Sequence, residues 1–472
     1  MCCGFSVTIQ PSMHNDAAQM SNPHTVLLAQ PLTPAERWAA RWSQVLIWAF
    51  AMLAILPRAL EIDPKDANFA QGSLNGQIQL GSILLLGFII FFRRFERTWF
   101  EFRQVNLGLI ILVIWAASSA LWSPYPMTTI KRTIQAGGVI FMAISMMQAT
   151  NPLATFLRLV TNTLSALLIL SLILIVVAPG YALEKDSVGH WRGVFEQKNG
   201  FGAVAAFNFI FWQARYYIDK ISIYKLMFGI GLSSLCLILA HSSTSISVSL
   251  LASGIFHLFR ARHFATSFWK LRILLTLLIF ILIGLMWFFS FESRLPNWAE
   301  VIGPFASLFG KGTDLSQRTV IWQLVGEEVR RHPIMGLGYG AFWLGAGSLS
   351  QYIIDILYWT PYQSHNGYLD TINELGYIGL GILLFSFLLH IRHLIQLFSV
   401  DRVAASFHLG IFTVLAISNY TESNLFRGML INSSLYIYSS VSITTTLYRH
   451  RLAQIRAREL LEKKASGTGP SF

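Results

Sequence analysis

The stretch that decides the fold is SHNGYLDTINELGYIGLGILL, from Ser364 to Leu384. Its first half carries a histidine, an asparagine and two acids, and its second half is apolar like a membrane helix. Asn366, Asp370 and Glu374 follow one another at helical-turn spacing, so they share one face of the predicted helix. A polar stripe on a membrane helix must face the protein interior or water. The stretch therefore predicts a membrane helix with a polar mouth.

The composition of the whole chain predicts an all-α polytopic membrane protein. Apolar residues make up 54% of the 472 residues and charged residues 12%, and apolar runs near the ~20 residues that cross a bilayer recur along the chain. Neither the three cysteines nor any cluster of His, Cys and carboxylate residues has metal-ligand spacing. We therefore expect no metal and no cofactor.

Hydropathy predicts about twelve spans, at 43–57, 75–92, 105–122, 129–148, 153–178, 199–214, 224–240, 243–259, 271–290, 366–390, 404–419 and 428–448. The first apolar segment has no cleavage site and is expected to be an uncleaved anchor. The predicted parts are a disordered cytoplasmic tail (1–36), spans one to nine (37–291), a large, partly helical periplasmic loop (292–365), spans ten to twelve (366–448) and a basic cytoplasmic tail (449–472).

Basic residues between the spans set the predicted orientation, because they accumulate on the cytoplasmic side. One arrangement collects most of them with both termini, namely Arg93, Arg94, Arg97, Arg103, Arg215, Lys220, Lys225, Arg260, Arg262, Lys270 and Arg272. The net charge of +12 is therefore attributed to topology and to contact with anionic lipid, not to nucleic-acid binding. The unusual polar segments then face the periplasm.

The longest outer segment is predicted to carry function, because long loops in compact proteins are otherwise uncommon. Within it, SQRTVIWQLVGEEVRR predicts an amphipathic helix placed as a lid, with apolar Val320, Leu324 and Val329 and Ser316 as a possible cap. The glycines of GLGYGAFW, from Gly336, favour a tight turn that brings backbone close to a ligand.

Two outer arginines, Arg192 and Arg318, lie in motifs of glycine, aromatic and amide residues and are interpreted as functional. Lys131 is interpreted as an interfacial side chain that snorkels to water. His365, at the helix mouth, suits a general base because imidazole titrates near neutral pH. A structural histidine that caps the helix is the alternative.

Three motifs in this order resemble the O-antigen ligase and polymerase family of bacterial envelope membrane proteins, closest to its exopolysaccharide polymerase branch. They are HWRGVFEQKNGFG, SQRTVIWQLVGEEVRRHPIMGLGYGAFW and SHNGYLDTINELGYIGL. The resemblance covers about Pro124 to Tyr448. Family members often carry a basic residue in a Ser and Thr motif near the eighth span. This chain departs from that pattern, since the corresponding stretch is HSSTSIS, which contains Ser242 to Ser247.

The resemblance implies a GT-C-like, inverting, metal-independent glycosyltransferase of the inner membrane with its active site facing the periplasm. Its donor would be an undecaprenyl-pyrophosphate-linked glycan, with its lipid tail among the spans, and its acceptor another glycan. Arg192 and Arg318 would clamp the pyrophosphate, and His365 would activate or orient the acceptor hydroxyl. The remaining substrate contacts are expected from Lys198, Asn199, Arg132, Asn366, Asp370 and Tyr339. A chain-length regulator and a flippase are possible partners.

Other functions stay open at this point. A polymerase is favoured over a ligase that transfers the glycan to lipid A core or another acceptor, on the motif RRHPIMGLGYGAFW and the resemblance to the polymerase branch. A flippase or transporter is disfavoured, because the chain shows no internal repeat. A metal-dependent glycosyltransferase would use the acids Glu61 and Asp63 of EIDPKD, which are better interpreted as a solvated loop.

Overall fold

The computed structural model describes residues 33–55, 74–184, 190–195, 197–261, 318–426 and 431–466. These residues are largely helical, and the β-type pairing found among them is a single bridge between Leu183 and Trp191. The helices are α1 (Pro34–Ile55), α2 (Leu74–Arg93), α3 (Phe95–Phe102), α4 (Leu107–Ser118), α5 (Pro126–Met146), α6 (Pro152–Val177), α7 (Pro179–Ala182), α8 (Lys198–Ile218), α9 (Ile223–Leu239), α10 (Ser243–Arg260), α11 (Arg318–Arg331), α12 (Gln351–Leu357), α13 (Gly367–Val400), α14 (Arg402–Thr421) and α15 (Ile431–Ala465).

The predicted apolar spans coincide with helices wherever the structure describes them, and the ninth, at 271–290, lies outside the described residues. By length and composition, α6, α13 and α14 are able to cross a membrane. A fourth span results if α2 and α3, which meet at a 107° bend, are counted together. An all-α, multi-pass membrane protein agrees with these helices, and the number of twelve spans stays a prediction.

The buried apolar residues include a large bundle core, a smaller outer core and a third cluster, which contains Leu394, Ile443 and Leu447. The bundle core is rich in aromatic rings, such as Phe156 and Tyr438, whose centroids lie 3.7 Å apart. The outer core forms where α11 and α12 pack with the glycine-rich turn, and consists of Ile321, Val325, Val329, Leu337, Phe342, Trp343 and Ile353. Val320, predicted on the apolar face of α11, is instead exposed. The outer segment thus has its own small core, which holds α11 beside α13.

Helix α13 consists of two helical segments joined at Gly376, which adopts φ 69° and ψ −175°. A Cβ at this position would lie 1.9 Å from the carbonyl oxygen of Ile334, so the close approach requires glycine. The amide of Tyr377, just after the break, donates to the carbonyl of Pro333 at 2.8 Å. The outer segment therefore packs directly against the interrupted backbone of a membrane helix.

The carbonyls freed by this break also find partners. The amides of Leu337 and Gly338 donate to the carbonyls of Asn373 and Glu374 at 3.0 and 2.8 Å, and the indole of Trp115 donates to the Leu375 carbonyl at 3.0 Å. Irregular backbone in a membrane protein is tolerated only where such partners satisfy it. The glycine-rich turn predicted to approach a ligand thus approaches α13.

Two polar networks lie at opposite ends of the bundle. At one end, buried Glu101 accepts hydrogen bonds from Arg449 at 2.7 Å and from Gln148 at 2.6 Å, which joins α3, the end of α5 and α15. At the other end, the N-terminus of α13 meets the C-terminus of α14. The candidate site lies at this second end.

Candidate active site

Glu422, the residue directly after α14, is the centre of a polar cluster. One carboxylate oxygen, Oε2, lies 2.9 Å from Nδ1 of His365 and accepts from Nε2 of Gln363 at 2.7 Å. The other, Oε1, accepts from Arg318 at 2.9 Å and from Asn199 at 3.2 Å. Residues from three other parts of the sequence therefore converge on one carboxylate.

The cluster is partly open to solvent, since the side chains of Glu422, His365 and Arg318 are 22%, 18% and 24% exposed. Burial raises the pKa of the Glu422 carboxyl, but the hydrogen bond and charge of His365, together with those of Arg318, more than offset this effect. The pKa of Glu422 is therefore lowered, and the group is an anion at neutral pH.

Arg318 is the first residue of α11, and its guanidinium binds the C-terminal end of α14. Nη1 donates to the carbonyl of Thr421 and Nη2 to Glu422, each at 2.9 Å. A cation is favourable at a helix C-terminus, where the helix dipole is negative. Within the described residues these bonds use two of the five N–H groups of the guanidinium, so the predicted anion-binding arginine keeps donors for a ligand.

His365 has a left-handed backbone, with φ 56°, which is uncommon for a residue other than glycine. The residues on either side hold it there. Ser364 is fully buried, and the side-chain oxygen of Asn366 caps α13 by accepting from the amides of Tyr368 and Leu369 at 3.1 and 3.2 Å. The cap is thus Asn366, expected to bind substrate, and the imidazole of His365 points to Glu422.

Arg192 lies on a turn beside the Leu183–Trp191 bridge and contacts Tyr181. Nε and Nη2 both donate to the Tyr181 carbonyl, at 3.0 and 2.7 Å, and the guanidinium lies 5.6 Å from the centre of the Tyr181 ring. The structure thus gives Arg192 these contacts with Tyr181 of α7, while Arg318 contacts Glu422. The predicted two-arginine clamp stays a prediction.

The N-terminus of α8 links that turn to the Glu422 cluster. The backbone amide of Lys198, the first residue of α8, donates to Glu184 at 2.6 Å, and the next residue, Asn199, donates to Glu422. Glu184 supplies the cap that α8 lacks locally, because the side chain of Gln197 makes no capping bond. Of the predicted substrate contacts, Asn199 thus lies in the cluster, whereas Lys198 flanks it.

The other predicted substrate contacts lie around the glycine turn. Asp370 is buried and accepts from the indole of Trp343 at 2.8 Å. Tyr339 is also buried, and its hydroxyl donates to the carbonyl of Phe426 at 2.7 Å. Arg132 donates to the carbonyl of Gly340. These side chains support the walls of the site in this structure, and their contact with substrate stays a prediction.

Sequence reasoning missed Glu422 and Gln363. The available signal was an acid shortly after the eleventh predicted span, in SNYTESN, at the same side as His365. Among the residues that the structure describes, no group of three or more His, Cys, Asp and Glu residues is arranged to hold a metal ion. The acids of EIDPKD lie outside the described residues. A small cavity beside the first turns of α13 is lined by Tyr339, Gly367, Asp370, Thr371, Glu374, Leu375, Leu425 and Phe426.

The fold and the cluster define a class, a helical multi-pass membrane protein with a carboxylate–imidazole pair and an arginine at one end of its bundle. The family model described as O-antigen ligase matches residues 228–385, which include Arg318 and His365. The exopolysaccharide production protein ExoQ of Rhizobium meliloti (strain 1021) is 24% identical over 348 residues, which cover 72% of this chain and 77% of the relative. The resemblance to the O-antigen ligase and exopolysaccharide polymerase family is thereby confirmed.

Proposed function

We propose that the protein is an inverting, metal-independent glycosyltransferase that polymerises undecaprenyl-pyrophosphate-linked oligosaccharide repeats at the periplasmic face of the inner membrane. The observation that carries the proposal is the convergence of His365 and Arg318 on Glu422. In this arrangement a carboxylate orients a base beside a cation. Glycosyl transfer from a pyrophosphate needs a base for the acceptor hydroxyl and a cation for the leaving group. The family resemblance supplies the class of substrate.

In this mechanism His365 acts as the general base. Glu422 holds Nδ1, so Nε2 is the ring atom that accepts the proton of the acceptor hydroxyl, and the carboxylate stabilises the imidazolium that forms. The acceptor oxygen attacks the anomeric carbon from the face opposite the pyrophosphate, which inverts that carbon. The bond from the anomeric carbon to the pyrophosphate oxygen breaks, and its electron pair leaves with the pyrophosphate.

The arginines act on the leaving group. A guanidinium binds phosphate oxygens through paired N–H groups without a divalent ion. Arg318 lies beside the base, since both bind Glu422, and Arg192 lies on the turn that precedes α8, the helix that carries Asn199. Both side chains would stabilise the negative charge that develops on the pyrophosphate in the transition state. The apolar helices around the site would hold the lipid tail.

A ligase is the second candidate, because the matching family model is described as O-antigen ligase. The two activities differ in the acceptor, which is a lipid-linked repeat for a polymerase and lipid A core for a ligase. The name of the relative, an exopolysaccharide production protein, favours the polymerase. Products tell them apart, since only a polymerase makes a ladder of lengths from the lipid-linked repeat alone.

The test is transfer by the purified protein in liposomes that contain an undecaprenyl-pyrophosphate-linked repeat. We expect a ladder of products without any added acceptor, unchanged by a chelator. Activity lost on chelation and restored by a divalent ion would support the metal-dependent alternative instead. Product formed only with added lipid A core would identify a ligase.

The periplasmic placement has its own test. Ala346 lies in the outer segment and Glu459 on the last helical stretch, and both are exposed. With the native cysteines replaced by serine, Ala346→Cys should react with an impermeant thiol reagent in intact spheroplasts, and Glu459→Cys only after lysis. The reverse pattern would overturn the topology, and with it the periplasmic active site.

A further inference from the structure

Asp370 touches the chain on both sides of the His365–Glu422 pair. Oδ2 of Asp370 accepts from the backbone amide of Ser364, at 3.2 Å, and from the hydroxyl of Ser423. Ser364 directly precedes His365 and Ser423 directly follows Glu422. One carboxylate oxygen therefore binds the two segments that carry the base and its partner.

Asp370 is almost fully buried, with only 3% of the residue exposed. Its other oxygen, Oδ1, accepts from Trp343, which belongs to the outer core. A buried carboxylate is costly unless hydrogen bonds surround it, and bonds to an ionised group are the stronger kind. The three bonds therefore favour a fixed structural anchor over a group that exchanges protein donors for sugar hydroxyls.

Two further side chains, those of Gln363 and Trp322, bind backbone or side-chain groups at or next to His365 and Glu422. The side chain of Gln363 donates to Glu422 at 2.7 Å and accepts from the amide of Ser423 at 2.9 Å. The indole of Trp322, one helical turn after Arg318, donates to the Ser364 carbonyl at 2.8 Å. Strained backbone persists only where its surroundings hold it, and these contacts surround the left-handed His365.

We propose that Asp370 is a positioning residue that sets the distance between His365 and Glu422 and makes no contact with substrate. The inference rests on the proposed function for its kinetic consequences, and it changes the role expected for Asp370 from the sequence. Misplacement of a reacting group by about 1 Å costs on the order of 10²-fold in rate. An anchor that fixes the base therefore affects turnover more than substrate binding.

The principal test is Asp370→Asn, because the amide nitrogen cannot accept a hydrogen bond and at least one of the three donors loses its partner. We expect kcat to fall by about 10- to 10²-fold while KM for the lipid-linked donor stays nearly constant. Ser423→Ala, which removes one of the three bonds, should give a smaller loss. A large rise in KM at constant kcat would show that Asp370 binds substrate and would overturn the proposal.

The matched control is Glu374→Gln. Glu374 lies one turn further along α13 and is similarly buried, at 5%, but its carboxylate accepts from the amide of Gly340 instead of residues beside the pair. A loss of folding stability alone would lower the amount of active protein in both variants. Only Asp370→Asn should also change the pH dependence of kcat, because only this variant shifts Glu422 relative to His365.

A double variant shows whether Asp370 acts through the pair. In a Glu422→Gln background the distance between His365 and Glu422 no longer matters, so Asp370→Asn should cost much less than it does in the native background. Losses that multiply fully in the double variant would mean that the two carboxylates act independently, which contradicts positioning.

A measurement without turnover separates this inference from the proposed function. Diethyl pyrocarbonate modifies a neutral, accessible imidazole, and mass spectrometry quantifies the peptide that contains His365. We expect faster modification of His365 in Asp370→Asn than in the native protein or in Glu374→Gln, since Glu422 no longer holds Nδ1. Equal rates in all three would overturn the positioning role. Absence of transfer by the native protein would instead refute the proposed function.

Discussion

Oε2 of Glu422 lies 2.9 Å from Nδ1 of His365, although 57 residues of chain separate them. The contact brings the start of α13 and the end of α14 together and leaves Nε2 of the imidazole directed away from the carboxylate. In hydrolases that use a carboxylate and a histidine, the same relationship fixes the ring and stabilises its charged form. Here it provides a physical reason for an acid directly after a membrane helix.

Glu422→Gln should abolish visible polymer. The amide keeps the size of the side chain but removes the charge that stabilises the imidazolium and balances Arg318, so we expect a loss of about 10²- to 10⁴-fold in transfer rate. Lipid-linked product and membrane protein are measured side by side. Asp355→Asn, at an exposed acid of α12 that contacts Gln351, is the matched control and should leave the rate unchanged. Normal product from Glu422→Gln would refute the catalytic pair.

Arg318→Lys and Arg192→Lys should each lose most activity although the charge is kept. A lysine ammonium cannot reproduce the paired N–H groups of arginine, so we expect about 10- to 10²-fold slower transfer at normal protein levels. The measurement is single-turnover transfer by the reconstituted variants. If both variants make normal polymer, the pyrophosphate is bound elsewhere, and Arg132 is the next candidate.

His365→Ala should leave the protein folded and inserted, because Asn366, and not the histidine, caps α13. Donor binding should survive, while transfer falls by about 10²- to 10⁴-fold. His365→Asn suits the left-handed backbone better than alanine does, so any loss of protein level in the alanine variant should be smaller in the asparagine variant. Transfer intact in either variant at normal abundance would end the catalytic claim.

Acidification should remove the stabilising contribution of Glu422. Its pKa in the folded protein is lowered below the ordinary value of 4.5 by His365 and Arg318 despite burial. A lowered carboxyl pKa stabilises the fold at pH values above the ordinary one, and this contribution is lost as the pH falls through the folded value. The thermal midpoints of native protein and Glu422→Gln, compared in detergent from neutral pH downward, should therefore converge only below about pH 4.5. A gap that stays constant into stronger acid would contradict this assignment.

Gly376→Ala should prevent correct folding, because the added Cβ would lie 1.9 Å from the Ile334 carbonyl oxygen and the φ of 69° is unfavourable for alanine. We expect a loss of several kcal/mol, enough to deplete the protein from the membrane. Gly381→Ala is the matched control on the same helix, since its Cβ meets nothing within 4 Å. Abundance by immunoblot after membrane fractionation should therefore separate the two variants, and equal abundance would show that the break tolerates a side chain.

The sequence by itself determined the helical, membrane-spanning class and the polar mouth of α13. These properties depend on local composition and on hydrophobic runs long enough for a bilayer, which a single sequence displays directly. His365 and Arg318 were singled out because polar residues beside a membrane helix differ from their surroundings, and Asn199 through the family resemblance; their roles stay predictions. The helical segments α11 and α13 also began close to where their patterns predicted them.

Only the tertiary structure decided which of these residues meet. Glu422 binds Asn199, which lies 223 residues earlier in the chain. Gln363 and Asp370 also bind residues of another segment, Glu422 and Ser423. No local sequence pattern indicates such pairings. The break at Gly376 could not be predicted from local sequence either. The carbonyls of Asn373 and Glu374 that it frees accept hydrogen bonds from the amides of Leu337 and Gly338, in another segment. Hydrogen bonds between distant segments form only after the helices have packed, so the order of residues shows which side chains are available and the packing selects the partners.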